Sequence, residues 1–177
     1  MTMQITTKLM KCYEINNNGE WATVVLELGD KSAKVIAHSS YGEYAYTWTS
    51  TGVNPIGFLK KINFDYAMTK FKGKYEIYDR DAQDIYLKSE INEYAKRENI
   101  EEDLKEDYLA QAEDASKDAT DANLFMLLLE RTDLIGVLYE GDYSCVDIKT
   151  KPDPQCVGFW NEIWIPLMDS IKEIETA

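Results

Sequence analysis

Residues 21–49 have the sequence WATVVLELGDKSAKVIAHSSYGEYAYTWT, which alternates apolar and polar residues in three short runs. In the first run Ala22, Val24 and Leu26 lie two positions apart, the period with which side chains alternate across a β-strand. Turn-forming residues separate the runs, and short turns join antiparallel neighbours. This stretch therefore predicts three consecutive strands of an antiparallel meander.

The residues before this stretch predict one more strand. Residues 1–16, MTMQITTKLMKCYEIN, alternate polar and apolar residues and lack the uninterrupted apolar stretch of a signal peptide. NNNG at 16–19 is a strong turn signal, and Gly19 suits a positive φ. Residues 1–50 are thus predicted to form an antiparallel sheet of about four strands.

From Asn54 onward the pattern becomes helical. Asn54 before Pro55 suits a helix N-cap followed by the first helical position, and Gly73 suits a helix end. Asp81 or Asp84 could cap a further helix that runs through residue 99.

Three more helices follow, at about 100–117, at 121–139 and at 155–174. The helix at 121–139 is apolar on nearly every side and is predicted to be buried, whereas the helix at 100–117 has only a thin apolar stripe, Leu104, Tyr108 and Ala112. In the last helix Pro166 cannot donate to the carbonyl of Glu162, which predicts a kink.

We therefore predict an α+β fold. The N-terminal sheet packs against the helices of residues 54–177, the acidic helix is peripheral, and residues 1–177 form a single domain.

The composition limits the classes of partner. The 177 residues include 32 acidic and 19 basic residues, for a net charge of −13. A field of this sign repels nucleic acid and anionic membranes and attracts basic protein surfaces. The longest dense apolar run, 124–129, is too short to cross a bilayer. We therefore expect a protein of the cytoplasm that binds neither nucleic acid nor membrane directly.

The sequence gives little indication of catalysis. His38 is the only histidine, and it has no partner at a spacing typical of a nucleophilic site. The three cysteines, Cys12, Cys145 and Cys156, form no CxxC motif and are predicted to be reduced thiols. We predict that the protein is not an enzyme and uses no cofactor.

Residues 114–121, DASKDATD, have only a superficial similarity to a calcium loop. The central Gly and the terminal Glu of such a loop are missing. Asp118 and Asp121 are instead alternative N-caps of the helix that follows. We predict no metal site.

The aromatic residues Tyr44, Tyr46 and Trp48 project to one side of their strand. A surface that stacks bases normally also carries Lys and Arg, whereas the neighbours here are Glu43 and Glu27 and the whole chain is acidic. The aromatic run is therefore predicted to be a core face, with Trp160 and Trp164 as candidate contacts.

The acidic region at 98–121 is the most distinctive feature, with ten acidic and two basic residues. A helix would arrange its acids in two adjacent rows. One row is Glu102, Glu106 and Glu113, and the other is Asp103, Asp107 and Asp114. Spaced carboxylates on a rigid rod can imitate the phosphates of a duplex, although a merely solvated acidic face has the same sequence pattern. The candidate partner-binding residues are Glu101, Glu102, Asp103, Glu106, Asp107, Glu113 and Asp114.

Three stretches together carry a family resemblance. They are SSYGEYAYTWTSTG at 39–52, FLKKINFDYAMTKF at 58–71 and PQCVGFWNEIWIPLMDSI at 154–171. In their order and character they resemble a set of small accessory proteins of tailed bacteriophages and prophages. The resemblance implies an accessory phage product, from a pool that includes anti-CRISPR proteins and other inhibitors of host defence.

Charge and resemblance lead to one functional hypothesis. The protein is a phage-encoded, non-enzymatic inhibitor that binds a host nucleic-acid-handling defence complex and occludes its basic surface with an acidic face. The alternative is a phage structural or assembly protein, a homo-oligomer with an interface rich in Tyr and Trp.

Overall fold

The computed structural model describes residues 3, 5, 7 and 10–171, and the following concerns this part of the chain. Its residues cluster into two compact units. The sheet unit comprises residues 1–75 and 152–177, and the helical unit comprises residues 76–151. Each unit has a hydrophobic core of its own. The single domain over residues 1–177 stays a prediction.

The secondary structure confirms the α+β class. The strands are β1 (Lys11–Asn17), β2 (Glu20–Leu28), β3 (Ala33–Ser39), β4 (Gly42–Trp48), β5 (Glu76–Tyr78) and β6 (Thr150–Pro152). The helices are α1 (Pro55–Lys61), α2 (Phe64–Lys72), α3 (Arg80–Glu98), α4 (Glu102–Asp118), α5 (Ala122–Leu129), α6 (Leu134–Tyr139), α7 (Pro154–Gly158) and α8 (Ile165–Ser170). A 3₁₀ turn at Tyr143–Cys145 follows α6, and a π-helical segment, Phe159–Trp164, joins α7 to α8.

The four-stranded sheet has the predicted meander topology. Strands β1 to β4 are antiparallel and lie side by side in chain order. Asn18 and Gly19 join β1 to β2 with φ of 52° and 89°, the positive values that a two-residue hairpin turn requires. Of the strand predicted at 1–16, residues 1, 2, 4, 6, 8 and 9 lie outside the described part of the chain, and β1 begins at Lys11.

One face of this sheet is buried under helices of the same unit. Val24, Val35 and Tyr44 are fully buried, and each belongs to the set of alternate residues that points to this face. Among the residues described, the opposite face is open, with Trp21 and Ile36 about two-fifths exposed, at 42% and 41%. The prediction that the Tyr44 side of β4 is a core face is thus confirmed.

The helices that cover the sheet begin and end where the sequence predicts. The Asn54 side chain accepts a hydrogen bond from the Gly57 N–H at 2.8 Å, and Pro55 occupies the first turn. A second cap, Asn63, divides the predicted helical region into α1 and α2, and Gly73 ends α2 with φ of 73°.

The sheet and the last helices meet through aromatic rings. Phe159 stacks on Tyr44, with ring centroids 3.8 Å apart and planes 11° from parallel. Trp160 and Trp164, the predicted contacts of the aromatic run, pack in the same core, but the ring that stacks on Tyr44 is that of Phe159. Gly158 lets the ring of Tyr41 pack against the backbone of α7, because a Cβ at that position would lie 2.2 Å from a ring carbon of Tyr41.

The sequence predicts a kink at Pro166, and the structure has the π-helical segment immediately before the turn of α8 that contains this proline. The Ile165 N–H bonds to the Trp160 carbonyl, five residues back. The Glu162 carbonyl, which has no donor at position 166, accepts a hydrogen bond from the Asn17 side-chain amide at 2.9 Å. The same amide also donates to the Glu162 carboxylate at 3.0 Å, so β1 supplies the bond that proline removes. Helix α8 ends at Ser170, and Ile171 after it has an extended backbone; residues 172–174 of the predicted helix lie outside the described residues.

The helical unit is built on the packing of α3 against α4. Its core contains residues from α3 to α6, and the fully buried ones include Leu87, Ile91, Phe125 and Leu129. The N-cap of α3 is Asp79 rather than the predicted Asp81 or Asp84.

Asp79 accepts two hydrogen bonds, and these explain why it is the N-cap. Its carboxylate accepts from the Ala82 N–H at 3.3 Å and from Lys151 Nζ at 3.2 Å. Burial alone would raise the pKa of Asp79, but these hydrogen bonds outweigh it and hold the pKa below its ordinary value. The cap therefore also attaches β6 to the start of α3.

The predicted helix at 121–139 is wrong, because the chain forms two helices there, α5 and α6. Thr132 explains the break: its hydroxyl donates to the Leu129 carbonyl at 2.7 Å and accepts from the Leu134 N–H at 3.2 Å. Such local side-chain bonds compete with continuation of a helix. The segment is also not buried on every side, since Leu127 is 47% exposed.

A buried glutamine of α3, Gln83, holds the segment at residues 147–149 against this helix. Gln83 is fully buried, and its amide donates to the Asp147 carbonyl at 3.3 Å and accepts from the Lys149 N–H at 2.8 Å. The Gln83 side chain thus makes the two hydrogen bonds that the backbone of a neighbouring β-strand would otherwise make with this segment.

We predict that Asn17→Ala lowers the free energy of unfolding by about 1 to 2 kcal/mol, because it leaves the Glu162 carbonyl without a donor. In a Pro166→Ala background the new backbone N–H can replace Asn17, so the same substitution is expected to cost less than half as much. Urea unfolding of the four proteins of this cycle measures the difference. Asn16→Ala is the control, and an equal cost of Asn17→Ala in both backgrounds would contradict the explanation.

We predict that Gln83→Ala lowers the free energy of unfolding by about 2 to 4 kcal/mol, because two partly buried backbone groups lose their hydrogen-bond partner and a small cavity forms where the Gln83 side chain was. Ser89→Ala, at an exposed position of the same helix, is the control and is expected to change it by less than about 0.5 kcal/mol. Urea unfolding tests both, and similar costs would show that Gln83 does not fasten the segment.

Candidate protein-binding surface

The negative charge of the chain is concentrated in the helical unit. Residues 76–151 include 21 acidic and 9 basic residues, for a net charge of −12. The sheet unit has 11 acidic and 10 basic residues, for a net charge of −1. The electrostatic field that the sequence predicts therefore originates in one unit.

Helix α4 lies in this unit and packs against α3 through small residues. Its buried positions are Tyr108, Ala112, Ala115 and Ser116. Leu104, which the sequence places in the apolar stripe, is 43% exposed and is not part of the buried stripe. The buried stripe is centred on Ala112 and Ala115, whose small side chains let the two helices approach closely, and Leu104 lies to one side of it in the first turn.

All seven candidate binding residues are exposed and lie on the solvent side of α4 or at its N-cap. The two predicted rows are present, because both lie opposite the buried stripe on a regular helix. We call this surface the acidic face, defined by Glu101, Glu102, Asp103, Glu106, Asp107, Glu113 and Asp114. Acids in the first turn also interact favourably with the helix dipole, which supports a helix that begins with three of them.

Three residues of the acidic face are held by other side chains. Glu102 pairs with Lys105 at 2.9 Å, and Glu113 pairs with Lys88 of α3 at 3.2 Å. Asp107 accepts a hydrogen bond from Gln111 at 2.8 Å.

The other four acids, Glu101, Asp103, Glu106 and Asp114, have no ion pair or side-chain hydrogen bond within the described residues. Their carboxylates are accessible to a partner without the breaking of an internal bond. Unpaired acids on one helix also repel one another, which costs stability.

Sequence reasoning did not identify Lys88 or Gln111. Gln111 lies four residues after Asp107, a helical spacing that can be read from the sequence, and it also accepts from the Asp133 N–H at 3.0 Å. The contact of Lys88 with Glu113 joins two helices, and no local pattern indicates it.

The other candidate features have structural positions. Asp121 is the N-cap of α5, since its carboxylate accepts from the N–H groups of Asn123 and Leu124 at 2.9 and 3.0 Å. His38 is exposed on the open face of the sheet, with its ring edge-on to Trp21 at 5.0 Å. Among the residues described, no three His, Cys, Asp or Glu side chains group closely enough to hold a metal ion.

Together these features define a small α+β protein with a nearly neutral sheet unit and a strongly acidic helical unit. A model of a phage protein family matches residues 3–171, and the chain belongs to this family. A search of curated proteins and a search of solved structures found no match to the chain. Of the helices in the described residues, none combines the length and the apolar character needed to cross a membrane.

We predict that the melting temperature rises when NaCl is raised from about 10 to 500 mM, because salt screens the repulsion within the helical unit. The variant D103N/E106Q/D114N is expected to show a smaller rise. The matched control D30N/E43Q/D169N removes three charges from the sheet unit and is expected to keep the full rise. Thermal unfolding followed by circular dichroism measures all three, and a melting temperature independent of salt would contradict the prediction.

Proposed function

We propose that the protein is a phage-encoded, non-enzymatic inhibitor that binds a host nucleic-acid-handling defence complex, as anti-CRISPR proteins do. The acidic face covers a basic surface of that complex and excludes its nucleic acid. The protein acts in the cytoplasm of the host cell. Membership in a phage family supports a phage origin, and the remaining steps rest on charge and geometry.

The observation that carries the proposal is the concentration of charge. The helical unit has a net charge of −12, and the acidic face is the part of it where carboxylates are aligned on a long helix. A surface of this sign is attracted to a basic surface of another protein and steers the encounter with it. The same sign repels nucleic acid, which favours a protein partner.

The dimensions of α4 suit a groove that binds a duplex. At a rise of 1.5 Å per residue, the span from Glu102 to Glu113 is roughly 16 Å, about the axial length of five base pairs. A basic groove that contacts the phosphates of a short duplex can therefore contact both rows of carboxylates at once.

The four unpaired acids lower the energetic cost of this contact. Each of them can form an ion pair with a Lys or Arg of the partner without loss of an internal ion pair; the four are Glu101, Asp103, Glu106 and Asp114. Binding also relieves their mutual repulsion, because the partner brings positive charge to the site.

We expect the wild-type protein to capture a nucleic-acid-handling complex, such as a CRISPR effector, from host lysate at low salt and to release it at high salt. The variant E101Q/E102Q/D103N/E106Q/D107N is expected to lose this capture. The readout is quantitative mass spectrometry of the bound fraction, with nuclease-treated lysate to exclude bridging by nucleic acid.

The matched control removes five exposed acids that lie elsewhere and have no side-chain partner in the described residues. It is the variant D30N/E43Q/E76Q/E93Q/E130Q, which has the same net charge as the test variant. We expect the control to keep the capture. Equal loss in both variants would mean that net charge rather than the acidic face binds, and undiminished capture by the test variant would refute the proposed surface.

An assembly role is the second candidate, and the open face of the sheet favours it. Trp21 and Ile36 are partly exposed there, on a face that no helix in the described part of the sheet unit covers. Analytical ultracentrifugation separates the two functions, since the inhibitor is expected to be a monomer when pure. A stable oligomer that persists in the five-acid test variant would favour assembly instead.

A further inference from the structure

A small pocket in the helical unit lies between the start of α3 and the end of α4. Its volume is about 290 Å³. It is lined by Arg80, Asp81, Asp84, Lys88, Glu113, Ser116 and Lys117. It differs from the acidic face in its composition, because acids and bases contribute equally to its walls.

The wall of the pocket contains two buried oxygen atoms without a hydrogen bond of ordinary geometry in the described structure. Ser116 is 1% exposed, and its hydroxyl has no hydrogen bond of ordinary geometry, although it interacts with the hydroxyl of Tyr78, which is also buried without one. Asp84 Oδ1 is also buried and unpaired, although Oδ2 of the same carboxylate binds Lys88 Nζ at 2.9 Å. A buried polar atom without a partner is energetically unfavourable, so a ligand that satisfies both atoms gains affinity from those hydrogen bonds.

Three of the nine basic residues of the helical unit surround this pocket. Lys88 is held by Asp84 and Glu113, and Arg80 is loosely paired with Asp81 at 3.8 Å. Arg80 Nη1 also donates to the Lys117 carbonyl at 3.3 Å, which keeps Arg80 close to the last turn of α4. The Lys117 ammonium has no ion pair among the residues described.

We propose that this pocket binds a small molecule with an oxyanion group next to a hydroxyl or amine. Arg80 and Lys117 hold the oxyanion, and the Ser116 hydroxyl donates a hydrogen bond to it. Asp84 Oδ1 accepts from the neighbouring hydroxyl or amine. The volume suits a small phosphate or carboxylate compound and is below that of a typical drug-sized site.

The pocket is independent of the proposed inhibitor function. It lies on the side of α4 that meets α3, and Glu113, through its pair with Lys88, is the residue that both surfaces share. Loss of the ligand and loss of the host partner can therefore be measured separately.

Titration of the ¹⁵N-labelled protein at constant ionic strength tests the proposal by NMR. The probes are inorganic phosphate, acetate and phosphoethanolamine, which has an amine near its phosphate. We expect saturable shifts at the amides of residues 80, 84, 116 and 117. Phosphoethanolamine is expected to bind about tenfold more tightly than inorganic phosphate, because it reaches both unpaired atoms. Tighter binding of acetate than of phosphate would assign the site to carboxylates.

Two variants and one control separate binding from folding. Lys117→Gln is expected to weaken phosphoethanolamine about tenfold, while Lys96→Gln, the same charge change at an exposed site on α3, leaves its affinity unchanged. Ser116→Ala is expected to weaken the ligand and to keep or raise the melting temperature of the free protein, because it removes an unpaired buried hydroxyl.

Two results would overturn the proposal. One is the absence of saturable shifts with all three probes up to about 20 mM, well above the range of weak specific binding. The other is equal affinity of the wild type and Lys117→Gln, which would mean that the shifts come from general screening of an acidic protein.

Discussion

The helical unit must hold a net charge of −12 on 76 residues against its own repulsion. It does so with an apolar core from α3 to α6 and with a helix, α4, that turns small residues inward and acids outward. Ion pairs such as Lys88 with Glu113 compensate part of the charge, and four acids of the acidic face stay uncompensated. Carboxylates that have no internal partner are available to a basic surface of another protein, which is the basis of the proposed function.

The sheet unit is stabilised by different interactions. Its sheet is covered on one face by helices whose aromatic rings stack on β4, and Tyr44 with Phe159 is the closest of these contacts. The proline that disturbs the last helix is compensated by Asn17, an amide on the edge strand. With a net charge of −1, this unit contributes little to long-range attraction, so the proposed function is assigned to the helical unit.

Most of the fold could be predicted from the sequence because its signals are local. Alternation within 21–49, the Asn-Gly turn and the Asn-Pro cap each act over a few residues, and the structure agrees with all three. The rows of acids on α4 follow equally from helical spacing. What the sequence did not indicate depends on the packing of distant segments. It includes the hydrogen bonds of Gln83, the ion pair of Lys88 with Glu113 and the burial of the Ser116 hydroxyl. The break at Thr132 was missed for another reason, since a strongly apolar run concealed a side chain that bonds its own backbone.

Occlusion is the central claim, and competition on a captured host complex tests it most directly. The complex is loaded with fluorescently labelled duplex or guide-bound nucleic acid, and the protein is added in increasing amounts at about 100 mM salt. We predict that the nucleic acid and the protein exclude one another, so that each displaces the other with reciprocal affinities. A stable ternary complex, in which the labelled nucleic acid stays bound while the protein saturates its site, would contradict the account.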